Sequence, residues 1–368
     1  MANKLDLKGN PNYAIPPGQT LLDTLEEIGM TQAELSRRMG RPIKTINEII
    51  KGKAEITPTT AIELERATGV PATLWNNLEK NYREKLALLK ERARLENQTD
   101  FLRKIPLLPM TKMGWIEKKA DKIDQLHEVL SFFRISTVEA WEAIWGENLE
   151  SRVAFRKAVA NKSDPFSLSA WLNKGEIEAT NIPCNPYNKS EFKSLFQNEI
   201  RNLTRIQDPQ VFLPKLTEIC SSVGVAVVIV KELPGCSVNG ATYWLNSEKA
   251  VIQLSLRYRS DDHLWFNFFH EAGHIVLHGK RETFLEYGHN PLDKEEQEAN
   301  KFSADTLIPH DEYVHFCQTP IITKTHIVKF AEKIGVSPGI VLGRLQHDER
   351  VPFRTVLNEL KVRYVWTK

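Results

Sequence analysis

Residues 270–274 place two histidines four positions apart, with a glutamate directly after the first, in a His-Glu-x-x-His pattern. On an α-helix, residues four apart lie about 40° apart around the axis and roughly 6 Å apart along it, so His270 and His274 can hold one metal ion between them. Glu271 then points to the neighbouring side, where it can take a proton from a zinc-bound water. The pattern predicts a hydrolytic site with one zinc ion, two histidine ligands and Glu271 as general base.

The sequence around this pattern favours a buried helix. Large apolar residues precede and follow it: Leu264, Trp265, Phe266, Phe268, Phe269, Ile275, Val276 and Leu277. Two histidines and a glutamate are costly to bury without partners. A pair of hydrogen-bonded core histidines is the alternative, but the complete pattern within a helix favours a metal site.

A catalytic zinc site needs a third protein ligand and an open position. His278 would lie about 12 Å along a continuous helix from His270, which is too far to share the ion. It is therefore predicted to donate a hydrogen bond to a backbone group at the helix end or to contact a ligand without binding the metal. The third ligand is therefore expected from a second helix. Tyr287 and His289 fall between the two helices and are candidates for stabilising an oxyanion.

The second helix is predicted from about residue 290 to residue 308, before Pro309. Its inward stripe consists of small and apolar residues: Ala299, Phe302, Ser303, Thr306 and Leu307. Glu298 borders this stripe and is the predicted third ligand, with Glu295 in reserve. Glu296 lies in a more polar turn and is predicted to face solvent.

These two segments resemble the ImmA/IrrE-like metallopeptidase family, whose members show a His-Glu-x-Gly-His helix and then a Glu-Ala-Asn-x-Phe-Ala run that ends in proline. Residues 270–274 and 298–303 match this pattern, except that Ser303 stands where the family usually has alanine. The resemblance covers roughly residues 120–368 and implies a zinc endopeptidase with narrow protein substrates, often a repressor. By position it assigns zinc to His270, His274 and Glu298, and the base to Glu271.

Three apolar runs before the motif predict a small antiparallel sheet, at residues 223–230, 241–245 and 250–256. The first run is apolar throughout, as is typical of a central strand, whereas the third alternates. An exposed strand beside the metal could take a peptide substrate as an added strand. A plain packing sheet with a covered edge is the alternative.

Residues 31–53 predict a DNA-binding helix-turn-helix. Thr31 and Glu34 can form a capping box, Gly40 permits the tight turn, and amphipathic helices on both sides complete a five-helix domain. Six basic and two acidic residues lie in this stretch, although the formal net charge of the whole chain is only +2. This local concentration of positive charge favours a phosphate-binding face over the alternative, a helical module that binds protein.

The helix-turn-helix positions predict two kinds of DNA contact. Base edges are expected to be read from the start of the second helix, by Lys44, Thr45 and Asn47. Phosphates are expected to be bound by Gln32, Arg41, Lys51 and Lys53. Residues 15–82 resemble the HigA-like antitoxin branch of the XRE-type repressors, with a departure at Arg41-Pro42, where a small polar residue is usual. The resemblance implies binding to an operator, with the protein's own promoter as the expected site.

Composition sets the class of protein. A chain of 368 residues, 41% hydrophobic and 26% charged, predicts a soluble protein of several domains. The polar start and the lack of a long apolar run argue against a signal peptide and a membrane helix, and four scattered cysteines predict reduced thiols in the cytoplasm. The predicted fold is mainly α with an α+β part, divided into a helix-turn-helix domain (1–82), a helical linker and middle region (83–210), a zincin-like domain (211–310) and C-terminal helices (311–368).

Two functions stay open. The first is a cytosolic DNA-binding regulator fused to a zinc endopeptidase that cleaves a regulatory protein or itself. The second is a HigA-like antitoxin or repressor whose zincin domain is a sensor or partner-binding module without proteolysis. The set of His270, Glu271, His274 and Glu298 favours the first, since a sensor has no need of the base. The expected partners are operator DNA, a protein substrate or toxin, and a second copy of the chain.

Overall fold

The structure is a computed structural model, and it describes residues 13–146, 163–278, 292–319 and 321–366. The chain divides into two compact units. One contains the described residues up to Asp100 together with Ala120–His127, and the other contains Phe101–Lys119 and the described residues from Glu128 onward. The fold is mainly helical with a small sheet, as predicted, whereas the domain boundaries stay predictions. In the described ranges, no helix has the length and apolar character needed to cross a membrane.

The first unit contains the five predicted helices, of which the last is longer than expected. They are α1 (Pro17–Glu27), α2 (Gln32–Met39), α3 (Ile43–Ile50), α4 (Pro58–Thr68) and α5 (Ala72–Glu96). Their core consists of buried apolar side chains, namely Leu21, Leu25, Leu35, Ile46, Ile49, Ile56, Ala61, Leu64 and Trp75. One continuous helix therefore runs through residue 82, where the sequence predicts the boundary between the helix-turn-helix domain and the helical linker.

The turn between α2 and α3 follows the predicted chemistry. The backbone N–H of Glu34 donates to the Thr31 hydroxyl, which caps α2. Gly40 ends α2 with a φ of 64°, in the left-handed region that glycine adopts without strain. Pro42 precedes the first residue of α3 and fits there because no helical N–H is required of it.

The rest of the described chain contains further helices and a three-stranded sheet. The α-helices are α6 (Leu107–Lys112), α7 (Lys122–Phe133), α8 (Val138–Trp141), α9 (Pro165–Thr180), α10 (Lys189–Leu195), α11 (Arg201–Leu203), α12 (Pro209–Ser221), α13 (Asp261–Leu277), α14 (Leu292–Leu307), α15 (His310–Phe316), α16 (Lys324–Ile334) and α17 (Pro338–His347). Short 3-10 helices span Thr99–Arg103 and Val356–Leu360, and π-helical turns span Glu142–Gly146 and Phe196–Ile200. The motif helix is α13, and the sheet packs against it and against α9 and α12.

The sheet contains β1 (Val225–Ile229), β2 (Gly240–Asn246) and β3 (Lys249–Leu254), in the order β1-β3-β2. β2 pairs antiparallel with β3, but β1 pairs parallel with it. The prediction of an entirely antiparallel sheet with the first strand in the centre is therefore wrong. The tight turn after Asn246 forces β2 and β3 together, whereas the longer link at 230–239 lets the chain cross to the far side.

Helices cover both faces of the sheet, which explains why β1 is apolar throughout. On one face, Ile252 and Leu254 join the core beneath α13. On the other face, the Gln253 amide donates to the Trp171 carbonyl of α9 at 2.7 Å. A strand that is buried on both faces has no polar alternation, so its composition did not distinguish an edge from the centre.

The C-terminal segment anchors the start of α13. Asp261 accepts hydrogen bonds from the Ser337 hydroxyl at 2.6 Å and the Val362 N–H at 3.1 Å. Asp262 pairs with Lys361 at 2.6 Å, and both side chains are only 8% exposed. The helices after Pro309 thus share one core with the motif helix, with contributions from Phe268, Ile327, Ile340 and Leu342.

This anchor predicts a pH-dependent stability. Burial raises the pKa of Asp261 to about 6, against the hydrogen bond from Ser337. Because the folded-state pKa is above the ordinary value, the folded protein binds this proton more tightly, and the resulting stabilisation is lost as the pH rises from about 4 to about 6. In wild type, this group should lower the free energy of unfolding by roughly 2 kcal/mol between about pH 4 and about pH 6, and Asp261→Asn should remove that decrease. Urea unfolding at several pH values across this range measures the effect. Exposed Asp311→Asn is the control, and parallel curves for wild type and Asp261→Asn would contradict the prediction.

Candidate metal centre and helix-turn-helix surface

The two motif histidines converge as the helical spacing requires. His270 and His274 lie on consecutive turns of α13, and their Nε2 atoms are 3.1 Å apart. Both side chains are only 10% exposed. Two nitrogens at this separation and orientation can both bind a single ion.

Glu296, on α14, supplies the carboxylate that completes the group. Its Oε2 lies 3.4 Å from the Nε2 of His270, and its Oε1 lies 3.3 Å from the Nε2 of His274. Tetrahedral zinc with ligands at about 2.0–2.1 Å places ligand atoms about 3.3–3.4 Å from one another. The separations of 3.1, 3.3 and 3.4 Å lie close to that geometry, with one Glu296 oxygen facing each histidine, and the three side chains form a candidate metal-binding group. Two imidazoles and one carboxylate leave a fourth position open, as in catalytic zinc sites.

Glu298 does not join this group, contrary to the expectation from the sequence. Its Oε2 lies 3.1 Å from the Nε2 of His278, and its side chain is 45% exposed, compared with 25% for Glu296. The reserve residue Glu295 is also outside the candidate group. Glu296, which was predicted to face solvent, takes the place that the sequence assigned to Glu298.

The orientation of α14 explains the difference. Ala299, Ser303 and Leu307 are buried and mark the face that packs into the core. Glu296 lies one helical turn before Ala299 on that face, whereas Glu298 is about 200° from Glu296 around the axis. Extending the buried stripe backward by one turn is the sequence signal that could have found Glu296.

Asn300 orients one of the two histidines. Its Oδ1 lies 2.9 Å from the Nδ1 of His270, one turn after Glu296 on the same helix. When Nδ1–H of His270 donates to this oxygen, the lone pair on Nε2 is left for a metal. Asn300 is a site residue that the sequence motif did not predict.

α13 and α14 approach closely because small residues line their contact. A Cβ at Gly273 would lie 3.0 Å from Cδ1 of Phe302 and 3.3 Å from Cα of Ala299. The fully buried Ser303 donates to the Phe266 carbonyl at 2.8 Å. The serine that departs from the family pattern therefore joins the two helices that carry the metal-binding side chains.

β2 fixes the carboxylate of Glu271. Glu271 is 4% exposed, and the Thr242 hydroxyl lies 2.7 Å from its Oε2 and 3.0 Å from its backbone oxygen. A Cβ at Gly240 would lie 2.8 Å from both Cγ and Oε1 of Glu271, so a larger residue there would displace this side chain. The strand thus holds the predicted base on the side of α13 that faces the sheet.

The helix-turn-helix surface exposes part of the predicted DNA-binding set. Three lysines are exposed, namely Lys44, Lys51 and Lys53. The other members are half-buried, namely Gln32, Arg41, Thr45 and Asn47. The assignment of these seven residues to DNA stays a prediction.

Several charges on this surface are paired within the domain. Arg41 donates to Glu63 of α4, a partner that lies outside the stretch counted in the sequence. Arg37 and Arg38 both pair with Glu34, and the hydrogen bond from Arg38, together with the charge of Arg37, lowers the pKa of Glu34. The local positive excess available to phosphates is therefore smaller than the residue count suggests.

Family models match both parts of the chain. Residues 21–75 match a helix-turn-helix model. Residues 226–346 match the IrrE N-terminal-like domain of the M78 peptidases. The chain joins a helix-turn-helix domain to an IrrE N-terminal-like domain.

The matched range of the IrrE N-terminal-like domain contains the whole candidate site. It includes β2, α13, α14 and α17, and extends beyond the boundary predicted near residue 310. The oxyanion candidates Tyr287 and His289 lie outside the described residues.

Relatives of the helix-turn-helix domain come from several bacteria. An uncharacterized HTH-type transcriptional regulator of Escherichia coli K12, YddM, is 32% identical over 63 residues, which are 17% of this chain and 67% of that protein. Among solved structures, a putative antidote protein of a plasmid maintenance system from Nostoc punctiforme is 31% identical, with 23% of this chain and 92% of that chain covered and a TM-score of 0.22. The antitoxin HigA of Pseudomonas aeruginosa with the higBA promoter is 29% identical, with 23% and 94% covered and a TM-score of 0.22.

Proposed function

We propose that this protein is a DNA-binding regulator with a built-in zinc endopeptidase, which cleaves a regulatory protein. The convergence of His270, His274 and Glu296 next to the buried Glu271 is the observation that carries the proposal. The match to a peptidase family over residues 226–346 supports the same reaction class. A sensor that only binds metal would need no carboxylate held at the position of Glu271.

The donor set fits zinc, with His270, His274 and Glu296 as the residues that would hold it. A bound zinc ion supplies a Lewis acid that polarises the scissile carbonyl and acidifies water. Glu271 takes the proton from the attacking water and transfers it to the amide nitrogen that leaves. Thr242 holds Oε2 of Glu271, which keeps the carboxylate in one orientation for both transfers.

β2 is the proposed guide for the substrate. In the described part of the chain, β2 pairs with β3 on one side only, and it lies at the edge of the sheet beside α13. A peptide that adds to this edge would bind through its backbone, which suits an extended segment of a protein substrate. Because Gly240 and Thr242 belong to the same strand and contact Glu271, such a peptide would run close to the base.

A defined cleavage assay tests the proposal. The purified protein, loaded with zinc, is incubated with the products of the genes that flank its own, and the fragments are identified by mass spectrometry. We expect one discrete cut in one protein, loss of the cut with a chelator, and recovery when zinc is added back. Zinc-loaded protein that cuts neither these products nor itself would contradict the peptidase assignment.

We also propose that the helix-turn-helix domain binds an operator in the protein's own promoter. Removing one phosphate contact, by Lys51→Ala or Lys53→Ala, should weaken binding on all sequences and reduce the salt slope by about 1. Lys44→Ala should instead weaken binding to the operator roughly tenfold and leave binding to scrambled DNA nearly unchanged. Fluorescence anisotropy measures both effects, with Lys80→Ala on α5 as the control. Unchanged operator affinity in all three variants would remove α3 as the reading helix.

A further inference from the structure

His278 follows the last residue of α13, one turn after His274, and neither the ligand set nor the base uses it. Its Nδ1 lies 3.1 Å from the Nδ1 of His274, and its Nε2 lies 3.1 Å from Oε2 of Glu298. Its side chain is 10% exposed. Both ring nitrogens therefore have a defined partner in a largely enclosed position.

The contacts form a chain of hydrogen bonds from His274 through His278 to Glu298, which we call the relay, and not a second metal-binding group. A metal ligand set requires lone pairs that point to one centre, but the two nitrogens of His278 face opposite partners. The nitrogen of His274 that contacts His278 is Nδ1, whereas its Nε2 faces His270 and Glu296. His278 and the metal-binding group thus contact opposite edges of the same imidazole.

The protonation states of the three side chains follow from this geometry. If Nε2 of His274 binds a metal, the neutral ring carries its proton on Nδ1 and must donate from there. Nδ1 of His278 accepts the hydrogen bond from that N–H, so the Nε2 of His278 carries its own proton and donates to the Glu298 carboxylate. Every donor in the chain then meets an acceptor, and the order of the three groups fixes a single tautomer of His274.

We propose that His278 and Glu298 are positioning residues, which orient His274 and make its Nε2 a stronger zinc ligand. This inference rests on the proposed zinc function and adds to it the residues that support one ligand. The Glu298 carboxylate accepts a hydrogen bond from His278, and His278 accepts one from the metal-binding His274. Hydrogen-bond partners of this kind commonly orient zinc-bound histidines. Glu298 thereby has a role near the metal, although its carboxylate is not in the ligand group.

The two zinc histidines are then supported by unlike partners. His270 is held by the neutral amide of Asn300, whereas His274 is held by an imidazole that a carboxylate polarises. The Nζ of Lys294 lies 3.7 Å from the other oxygen of Glu298 and partly neutralises the charge of that carboxylate. Because Glu298 is 45% exposed, its electrostatic effect is smaller than the geometric effect of the His278 ring.

Zinc affinity, measured by competition with a chromophoric chelator, tests the relay. His278→Phe keeps the ring volume without the nitrogens and should weaken zinc binding about 10- to 100-fold. Glu298→Gln should weaken it by less, and the double variant should bind no more weakly than His278→Phe, since Glu298 acts only through His278. Exposed His310→Phe and Gln297→Ala are the matched controls, and both should bind zinc as wild type does.

Two further measurements separate positioning from a general structural role. His278→Gln can still accept from His274 and donate to Glu298, so it should regain most of the affinity lost in His278→Phe. In the zinc-loaded protein, the Nδ1 proton of His274 should be visible by NMR and protected from exchange, and His278→Phe should remove that protection while the Nδ1 proton of His270 keeps it. Wild-type protein that binds zinc, with equal affinity and an equally protected His274 proton in His278→Phe, would overturn the relay alone. Wild-type protein that binds no zinc would overturn the proposed function on which the relay depends.

Discussion

Glu296→Gln is expected to weaken zinc binding by more than 100-fold, beyond the range of about 10- to 100-fold that is typical for a residue outside the ligand set. The change removes a charged ligand and leaves an amide oxygen, which binds zinc poorly, while the side chain keeps its size and helical position. Isothermal titration or chelator competition on the purified protein gives the affinity directly. The free energy of unfolding without metal should change little, because Glu296 is not part of the apolar core.

Glu298→Gln is the matched control for this prediction. It changes the same residue type on the same helix, only two positions away, and should lower the affinity by less than tenfold through His278. The comparison decides between two sequence positions, since the family pattern assigned the ligand to Glu298 and the distances favour Glu296. Loss of zinc in Glu298→Gln with retention in Glu296→Gln would restore the assignment made from the sequence.

The parts that the sequence predicted correctly depend on neighbours along the chain. The spacing of His270 and His274 sets their separation through helical geometry alone, and the distance between their Nε2 atoms follows it. The cap at Thr31 and the turn at Gly40 are likewise local, and the structure shows both. Five helices in the first unit follow from apolar periodicity, which is also local.

The parts that the sequence did not predict depend on how separate elements meet. Which glutamate of α14 reaches the histidines is decided by the rotation of one helix against another, and Gly273 allows the two helices to pack closely at Ala299 and Phe302. The parallel pairing of β1 depends on the path of residues 230–239, not on the apolar character of the strand. The pairing of Arg41 with Glu63 joins the turn between α2 and α3 to α4, and it could not be counted from residues 31–53. In each case the missing information is a contact across the fold.

Glu271→Gln is expected to leave zinc affinity near that of wild type and to reduce cleavage about 10²- to 10⁴-fold, the usual contribution of a general base. Glutamine has the same shape and can still accept the hydrogen bond from Thr242, so the fold around β2 should be unchanged. It cannot take the proton of the attacking water. The rate of the discrete cut, measured at saturating zinc by gel densitometry, gives the size of the effect.

Two variants show whether the loss comes from the base itself. Glu312→Gln on α15 makes the same chemical change at a half-buried residue away from the site and should cleave as wild type does. Thr242→Val removes the hydroxyl that orients the carboxylate and should give an intermediate rate, because the base remains but is less well held. If Glu271→Gln cleaves at the wild-type rate with zinc bound, the base must be another residue. If the substitution abolishes cleavage but leaves DNA regulation in cells unaffected, the metal centre acts as a sensor or partner-binding module. If Glu271 is the proton acceptor and Thr242 of the edge strand orients it, Glu271→Gln should lose nearly all cleavage. Thr242→Val should then cleave at a rate between those of Glu271→Gln and wild type.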